Sequence, residues 1–269
     1  MHQSSTVVWQ FAVPALLSLV VSACEEKVPE PAQKPAEKSE QAAETKTPPK
    51  PAETASAAPA APAVRIPAKP TATVAVSPGD PVKGVWTLDD ATKGLPKDGK
   101  LVATIDTEAG KLTCELFDDK APITVANFVG LARGIRPWKT PEGSWAKKPL
   151  YNGTVFHRII KGFMIQGGDP KGNGSGDPGY VIPDEIWENG SHDARGLLCM
   201  ANRGPDTNGA QFFILDAPST YLDGKYTIFG KCEPGDVIEK LASHKVVGDQ
   251  AVDPPKIKKV TIERSTPKP

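Results

Sequence analysis

Between Phe156 and Asp169 the chain reads FHRIIKGFMIQGGD, a stretch dense in residues that could do chemistry. One permanent cation, Arg158, stands among residues of strand character: Val155, Phe156, Ile159 and Ile160. Phe163 and Met164 follow, then the amide of Gln166 and a Gly-Gly pair. A guanidinium, an amide and two large apolar groups this close together make a mixed surface. Ligand sites are usually apolar pockets with a few directed polar groups. On these residues alone the stretch reads equally as a ligand site and as a core strand carrying one solvated arginine. Two later stretches have the same texture. Leu198–Phe213, LCMANRGPDTNGAQFF, holds the amides of Asn202 and Gln211 and the rings of Phe212 and Phe213. Tyr221–Gly230, YLDGKYTIFG, adds two tyrosines and a phenylalanine.

Other chemistries find no support. Gly172-Asn-Gly174-Ser-Gly176 lacks the Lys-Ser/Thr ending of a phosphate loop, and Asn173 stands where a nucleophile elbow needs its first glycine. The four cysteines show no Cys/His spacing suited to a metal, so no metal site is expected. His157, beside Arg158 in a strand pattern, reads as structural. The 32 basic and 32 acidic residues cancel, so no basic field argues for nucleic acid.

The elements that would position these residues follow from periodicity. Leu101–Thr107 and Lys111–Phe117 read as a hairpin turning at Glu108-Ala109-Gly110, with Cys114 on the core side. Pro122 suits a first helical turn. Val125, Phe128, Val129 and Ala132 then give an amphipathic helix ended by Gly134. Ile135–Leu150 reads as a loop facing a partner. Strands are predicted at Thr154–Ile160, Phe163–Gln166, Leu197–Ala201, Gln211–Leu215, Tyr226–Lys231 and Lys256–Glu263, with a short helix at Asp236–His244. Many short strands and few helices predict an all-β, closed barrel.

The composition changes along the chain. Val7–Val21 is a mostly apolar run of signal-peptide length, too short to span a bilayer as a helix. Val21-Ser22-Ala23-Cys24 follows, small residues before a cysteine as in a bacterial lipobox, although Met1–Thr6 carries no Lys or Arg. Residues 1–23 are therefore read as a lipoprotein signal peptide, and Cys24 as the lipidated first residue of an exported envelope protein. Residues 24–94 are read as a disordered tether. Glu25–Pro81 has no aromatic residue and 12 of the 28 prolines, and such a segment cannot bury enough apolar surface to offset its chain entropy. Its roughly 55 residues could reach about 170 Å extended or about 40 Å as a coil. Val82–Leu95 brings Trp86 and is expected to pack on the domain edge. Residues 95–264 are the globular domain and 265–269 a tail. An exported chain meets an oxidising compartment, but three cysteines, Cys114, Cys199 and Cys232, leave the pairing open.

The three dense stretches, with ELFDDKAP and TVANF near the start of the domain, resemble the cyclophilins, a family of peptidyl-prolyl cis/trans isomerases. The resemblance covers at least Leu101–Glu263. It implies an eight-stranded antiparallel closed barrel with a helix at each end. It implies that Arg158 is the catalytic arginine. It also implies substrate contacts from Phe163, Met164, Gln166, Gly174, Ala201, Asn202, Gln211, Phe213, Tyr221, Leu222 and Tyr226. Proline-containing polypeptides are then the partners, no cofactor is needed, and the chain is expected to act as a monomer. Three positions depart from the best-known eukaryotic pattern: Arg203 replaces a small residue, Tyr221 a tryptophan and Tyr226 a histidine. The other reading of the groove is a non-catalytic module that only holds proline-containing segments.

The implied chemistry suits these residue types. An X-Pro amide has a rotation barrier of about 18–20 kcal/mol. Rotation breaks conjugation and leaves a lone pair on the imide nitrogen. A guanidinium donor directed at that nitrogen stabilises the twisted state more than the planar one. Arginine stays charged and presents a rigid fork of donors. Phe163, Met164, Phe213 and Leu222 would hold the proline ring while the other half of the peptide turns.

Overall fold

The computed structural model describes residues 77–265. The expected signal segment, Cys24 and the first part of the expected tether lie outside the described residues. In chain order the elements are α1 (Leu88–Thr92), β1 (Lys100–Thr107), β2 (Lys111–Leu116), α2 (Pro122–Arg133), β3 (Trp138–Lys139) and β4 (Trp145–Ala146). Then come β5 (Arg158–Ile160), β6 (Met164–Gly167), β7 (Leu197–Met200), β8 (Phe212–Leu215) and β9 (Ile228–Glu233). The described residues finish with α3 (Gly235–Ala242), β10 (Val246–Val247), β11 (Gln250–Ala251) and β12 (Ile257–Ser265). The fold is mostly β with few helices, and α2 and α3 are the two helices that periodicity predicts.

Ten strands form one antiparallel sheet in the order β10-β11-β5-β6-β8-β7-β9-β2-β1-β12, and β3 pairs only with β4. The expected closed, eight-stranded ladder is not what the strands form, because the end strands β10 and β12 do not pair. The stretch before β5 meets the start of β12 through one isolated bridge, Val155 to Lys256, and through hydrogen bonds such as Phe156 N–H to Pro255 O at 3.0 Å. Pro254 and Pro255 carry no N–H, so no ladder extends there. For the same reason the predicted strand Thr154–Ile160 shortens to three residues. The Ile135–Leu150 loop contains the β3–β4 hairpin, and its Trp138 is buried.

The sheet separates two apolar clusters. The larger one gathers Phe128, Tyr151, Phe156, Phe212 and Phe229, with Phe128 4.9 Å from the Tyr151 ring and 5.3 Å from that of Phe229. The smaller holds Met164, Leu197, Cys199, Phe213, Leu215, Leu222 and Ile228. Alternation along β8 sends Phe212 to the first and Phe213 to the second. Cys114 and Cys232 lie directly opposite each other on β2 and β9 and are disulfide-bonded, while Cys199 is a buried free thiol.

The helix α2 is buried over ten consecutive residues, Ile123 to Ala132, rather than on one face. Its outer side is covered by residues 77–95, a strap made of the last part of the expected tether, Val82–Leu95 included, together with the few residues before it. Trp86 Nε1 donates to Ala126 O at 2.9 Å, and Arg133 donates to Ala91 O and Lys93 O at 2.6 and 3.0 Å. Gly130 permits the contact, since a Cβ there would lie 2.8 Å from both Trp86 Nε1 and Arg136 Cβ.

The N-terminus of α2 has no capping side chain of its own at Ala121. Glu185 supplies one from 62 residues away, accepting Ile123 N–H at 2.9 Å and Thr124 N–H at 2.7 Å. Glu185→Ala leaves those two donors without a partner in a buried setting. We expect a loss of about 2 kcal/mol of stability, measured by urea denaturation.

Candidate functional site

The strands β5, β6 and β8 lie side by side, and their register builds the site. Arg158 pairs with Gln166, and Gln166 with Phe213, so the guanidinium, the amide and the ring are cross-strand neighbours. The Gly-Gly pair after Gln166 has a packing cause. A Cβ at Gly167 would lie 2.8 Å from the Phe156 ring. Gly168, at φ 78°, would meet Phe212 and Ala210 O.

A cavity of about 120 Å³ opens here. It is lined by Arg158, Phe163, Met164, Gln166, Ala201, Asn202, Phe213, Leu222 and Tyr226. Met164, Phe213 and Leu222 are buried and close its apolar end. The Tyr226 ring stands edge-on to Phe213, with centroids 5.7 Å apart. Beside it lies a larger cavity of about 310 Å³. Gln166, Ala201 and Asn202 belong to both, while Gly174, Gln211 and Arg203 line only the larger. Gln166 Nε2 donates to Gln211 Oε1 at 2.9 Å. Gln211 in turn donates to Gly174 O and Gly176 O at 3.0 and 2.8 Å, which fixes both amides.

Tyr221 is the exception among the expected contacts. It lines neither cavity and is 63% exposed, with its ring 5.7 Å from that of Phe163. The turn of 3₁₀ helix at Thr220–Leu222 points Leu222 inward and leaves Tyr221 outside. His157 also lines neither cavity. It is buried, neither ring nitrogen has a hydrogen-bond partner among the described residues, and burial pushes its pKa down, countered in part by Asp169.

One residue escaped the sequence reading. Asp249, in the β10–β11 turn, accepts from Arg158 Nε at 2.6 Å. Its backbone is pinned as well, because Asp249 O accepts Ile159 N–H at 2.9 Å. The hydrogen bond from Arg158 holds the Asp249 carboxyl below its usual range. Only Nε is engaged among the described residues, so Nη1 and Nη2 stay available at the cavity rim. On the sequence expectation that Arg158 is the catalytic arginine, Asp249→Asn should lower kcat by roughly two- to five-fold with little change in KM. The same pair fixes a pH response. A depressed carboxylate pKa means that the contact persists above the ordinary value of 3.8 and is lost only as pH falls below it.

The arrangement is an arginine donor on a small cavity lined by apolar and polar groups alike, with fixed amides alongside and no carboxylate, imidazole or thiol among its lining residues. It suits the holding and turning of a peptide rather than the breaking of one. Residues 102–264 match the family model for cyclophilin type peptidyl-prolyl cis-trans isomerases. The chain belongs to the cyclophilin family. Among its relatives, peptidyl-prolyl cis-trans isomerase B of Streptomyces anulatus is 48% identical over 156 residues, which cover 58% of this chain and 86% of that protein. Peptidyl-prolyl cis-trans isomerase A of Mycobacterium tuberculosis is 46% identical over 165 residues, 60% of this chain and 91% of that one. A cyclophilin-type isomerase of Cryptosporidium parvum, solved by crystallography, is 34% identical with a TM-score of 0.55, over 62% of this chain and 99% of that one. This cyclophilin is thus a peptidyl-prolyl cis-trans isomerase, and the region before residue 102 lies outside the family match.

Proposed function

We propose that this cyclophilin rotates X-Pro bonds in the smaller cavity, with Arg158 as the catalytic residue. In this reading Phe163, Met164, Phe213 and Leu222 hold the proline ring, and Tyr226 closes it from the side. Gln166 and the backbone of Asn202 hold the flanking peptide. The observation that carries the proposal is Arg158 at the rim of a cavity with an apolar end, its Nη nitrogens not engaged by Asp249. The Cryptosporidium parvum relative was also solved in the presence of the dipeptide Ala-Pro, which supports a dipeptide-sized X-Pro ligand here. The test is an isomerisation assay on a short X-Pro peptide with Arg158→Ala in parallel. Equal rates for the two proteins would sink the assignment.

We further propose that the enzyme works in a bacterial envelope on exported polypeptides, lipid-anchored through Cys24 and held away from the membrane by its proline-rich tether. Support comes from the apolar run Val7–Val21 followed by Val21-Ser22-Ala23-Cys24. The expected result is that the full chain partitions into the membrane fraction of a bacterial host and that Cys24→Ser releases it. A Cys24→Ser protein that stayed in membranes would refute lipidation at that residue.

A further inference from the structure

The family match begins at residue 102, yet the strap before it reaches the substrate groove. Ser77 is among the residues lining the larger cavity. Three residues on, Asp80 folds its turn around its own carboxylate, which accepts Val82 N–H at 3.1 Å and Gly84 N–H at 3.2 Å. Both oxygens also take a guanidinium, that of Arg136, at 2.8 and 2.9 Å. The pair is almost wholly buried. Its other face carries the contact that matters for the groove. The Arg136 guanidinium lies 3.9 Å from the centroid of the Tyr180 ring. Tyr180 Oη donates to Asn127 Oδ1 at 2.7 Å, and Asn127 Nδ2 donates to Gly209 O at 2.8 Å. Tyr180 and Gly209 both line the larger cavity.

We propose that the strap is a specificity element of the groove, setting the shape of the larger cavity through Asp80, Arg136 and Tyr180 and adding Ser77 to its lining. The inference rests on the groove assignment above. A bidentate carboxylate fixes the plane of the guanidinium, and a planar cation over an aromatic face fixes the ring. Packed interiors give such a chain little slack. The larger cavity shares Gln166, Ala201 and Asn202 with the smaller one. A peptide whose proline fills the smaller cavity therefore offers a flanking side chain to the larger. Asp80, Arg136 and Tyr180 act as positioning residues here, remote from the rotating bond.

The experiment compares kcat/KM for X-Pro peptides that differ only in one flanking residue, alanine or leucine, with the position varied in turn. For Asp80→Asn, Arg136→Lys and Ser77→Leu, the leucine-to-alanine ratio at one flanking position should shift by about threefold or more from wild type. A ratio unchanged at every position, whether rates fall uniformly or not at all, overturns the inference. Should Asp80→Asn fail to fold, Ser77→Leu leaves the ion pair intact and decides the matter. Arg158→Ala separates the two readings. If it stays active, the groove assignment itself is wrong. If it is inactive while the other ratios hold, only the role of the strap is wrong.

Discussion

Arg158→Ala should lose about 10²–10³-fold in kcat/KM on any X-Pro peptide, a loss of the size seen when one oriented donor is removed from developing charge. The physical reason is the change at the imide nitrogen. In the planar amide its lone pair is delocalised and accepts no hydrogen bond. In the twisted state the pair is localised, and a fixed cationic donor gains an acceptor. An interaction present only in the transition state alters kcat and leaves KM nearly untouched. The expected pattern is therefore a collapse of kcat with KM within about twofold of wild type. Arg158→Lys keeps the charge but gives up the fork and the Nε contact to Asp249, so it should fall between the two. A peptide-isomerisation assay coupled to a conformer-selective protease, or exchange measured by NMR, reads all three proteins. Equal kcat for wild type and Arg158→Ala would remove Arg158 from the mechanism.

Local pattern made the strands of this site legible, while the roles expected of Arg158, Gln166 and Phe213 came from the family resemblance. Arg158, Gln166 and Phe213 come from strands whose apolar residues declare them, and register between adjacent strands then makes them neighbours. What could not be read comes from contacts between distant segments. Asp249 reaches Arg158 from 91 positions away, out of a turn with no pattern of its own. Glu185 caps α2 across 62 residues, where the sequence shows only an uncapped Ala121. Of the three possible pairs among Cys114, Cys199 and Cys232, parity selects none. The β2–β9 register selects one by placing Cys114 opposite Cys232. Tyr221 and Leu222 are adjacent, and only the geometry of a single 3₁₀ turn decides which faces the cavity.

The strap is the clearest case of composition misleading, and it carries the largest expected effect on stability. Prolines and the lack of aromatics before Trp86 describe residues 77–81 as tether, yet Asp80 in that stretch is nearly inaccessible and bonded to an equally buried Arg136. Burial alone would push the Asp80 carboxyl up, but the hydrogen bond and charge of Arg136, with the N–H groups of Val82 and Gly84, outweigh it and hold the group below its usual range. Asp80→Ala leaves a guanidinium in the interior with no carboxylate beside it. Breaking a buried pair in this way costs about 3–5 kcal/mol. For a domain of this size that corresponds to a fall in Tm of roughly 10 °C. Replacing both partners by apolar residues, Asp80→Leu with Arg136→Met, removes the stranded charge and should recover part of the loss, the N–H groups of Val82 and Gly84 still lacking their acceptor. The pH dependence gives an independent check. Because the folded pKa is depressed, the stability that Asp80 contributes is fully present above its ordinary value of 3.8 and is lost as pH falls through the folded value. Wild type and Asp80→Ala should thus differ most at neutral pH and converge in acid, as measured by urea denaturation across pH. A gap under 1 kcal/mol at neutral pH, or one that widened in acid, would show that the strap is not held by this pair.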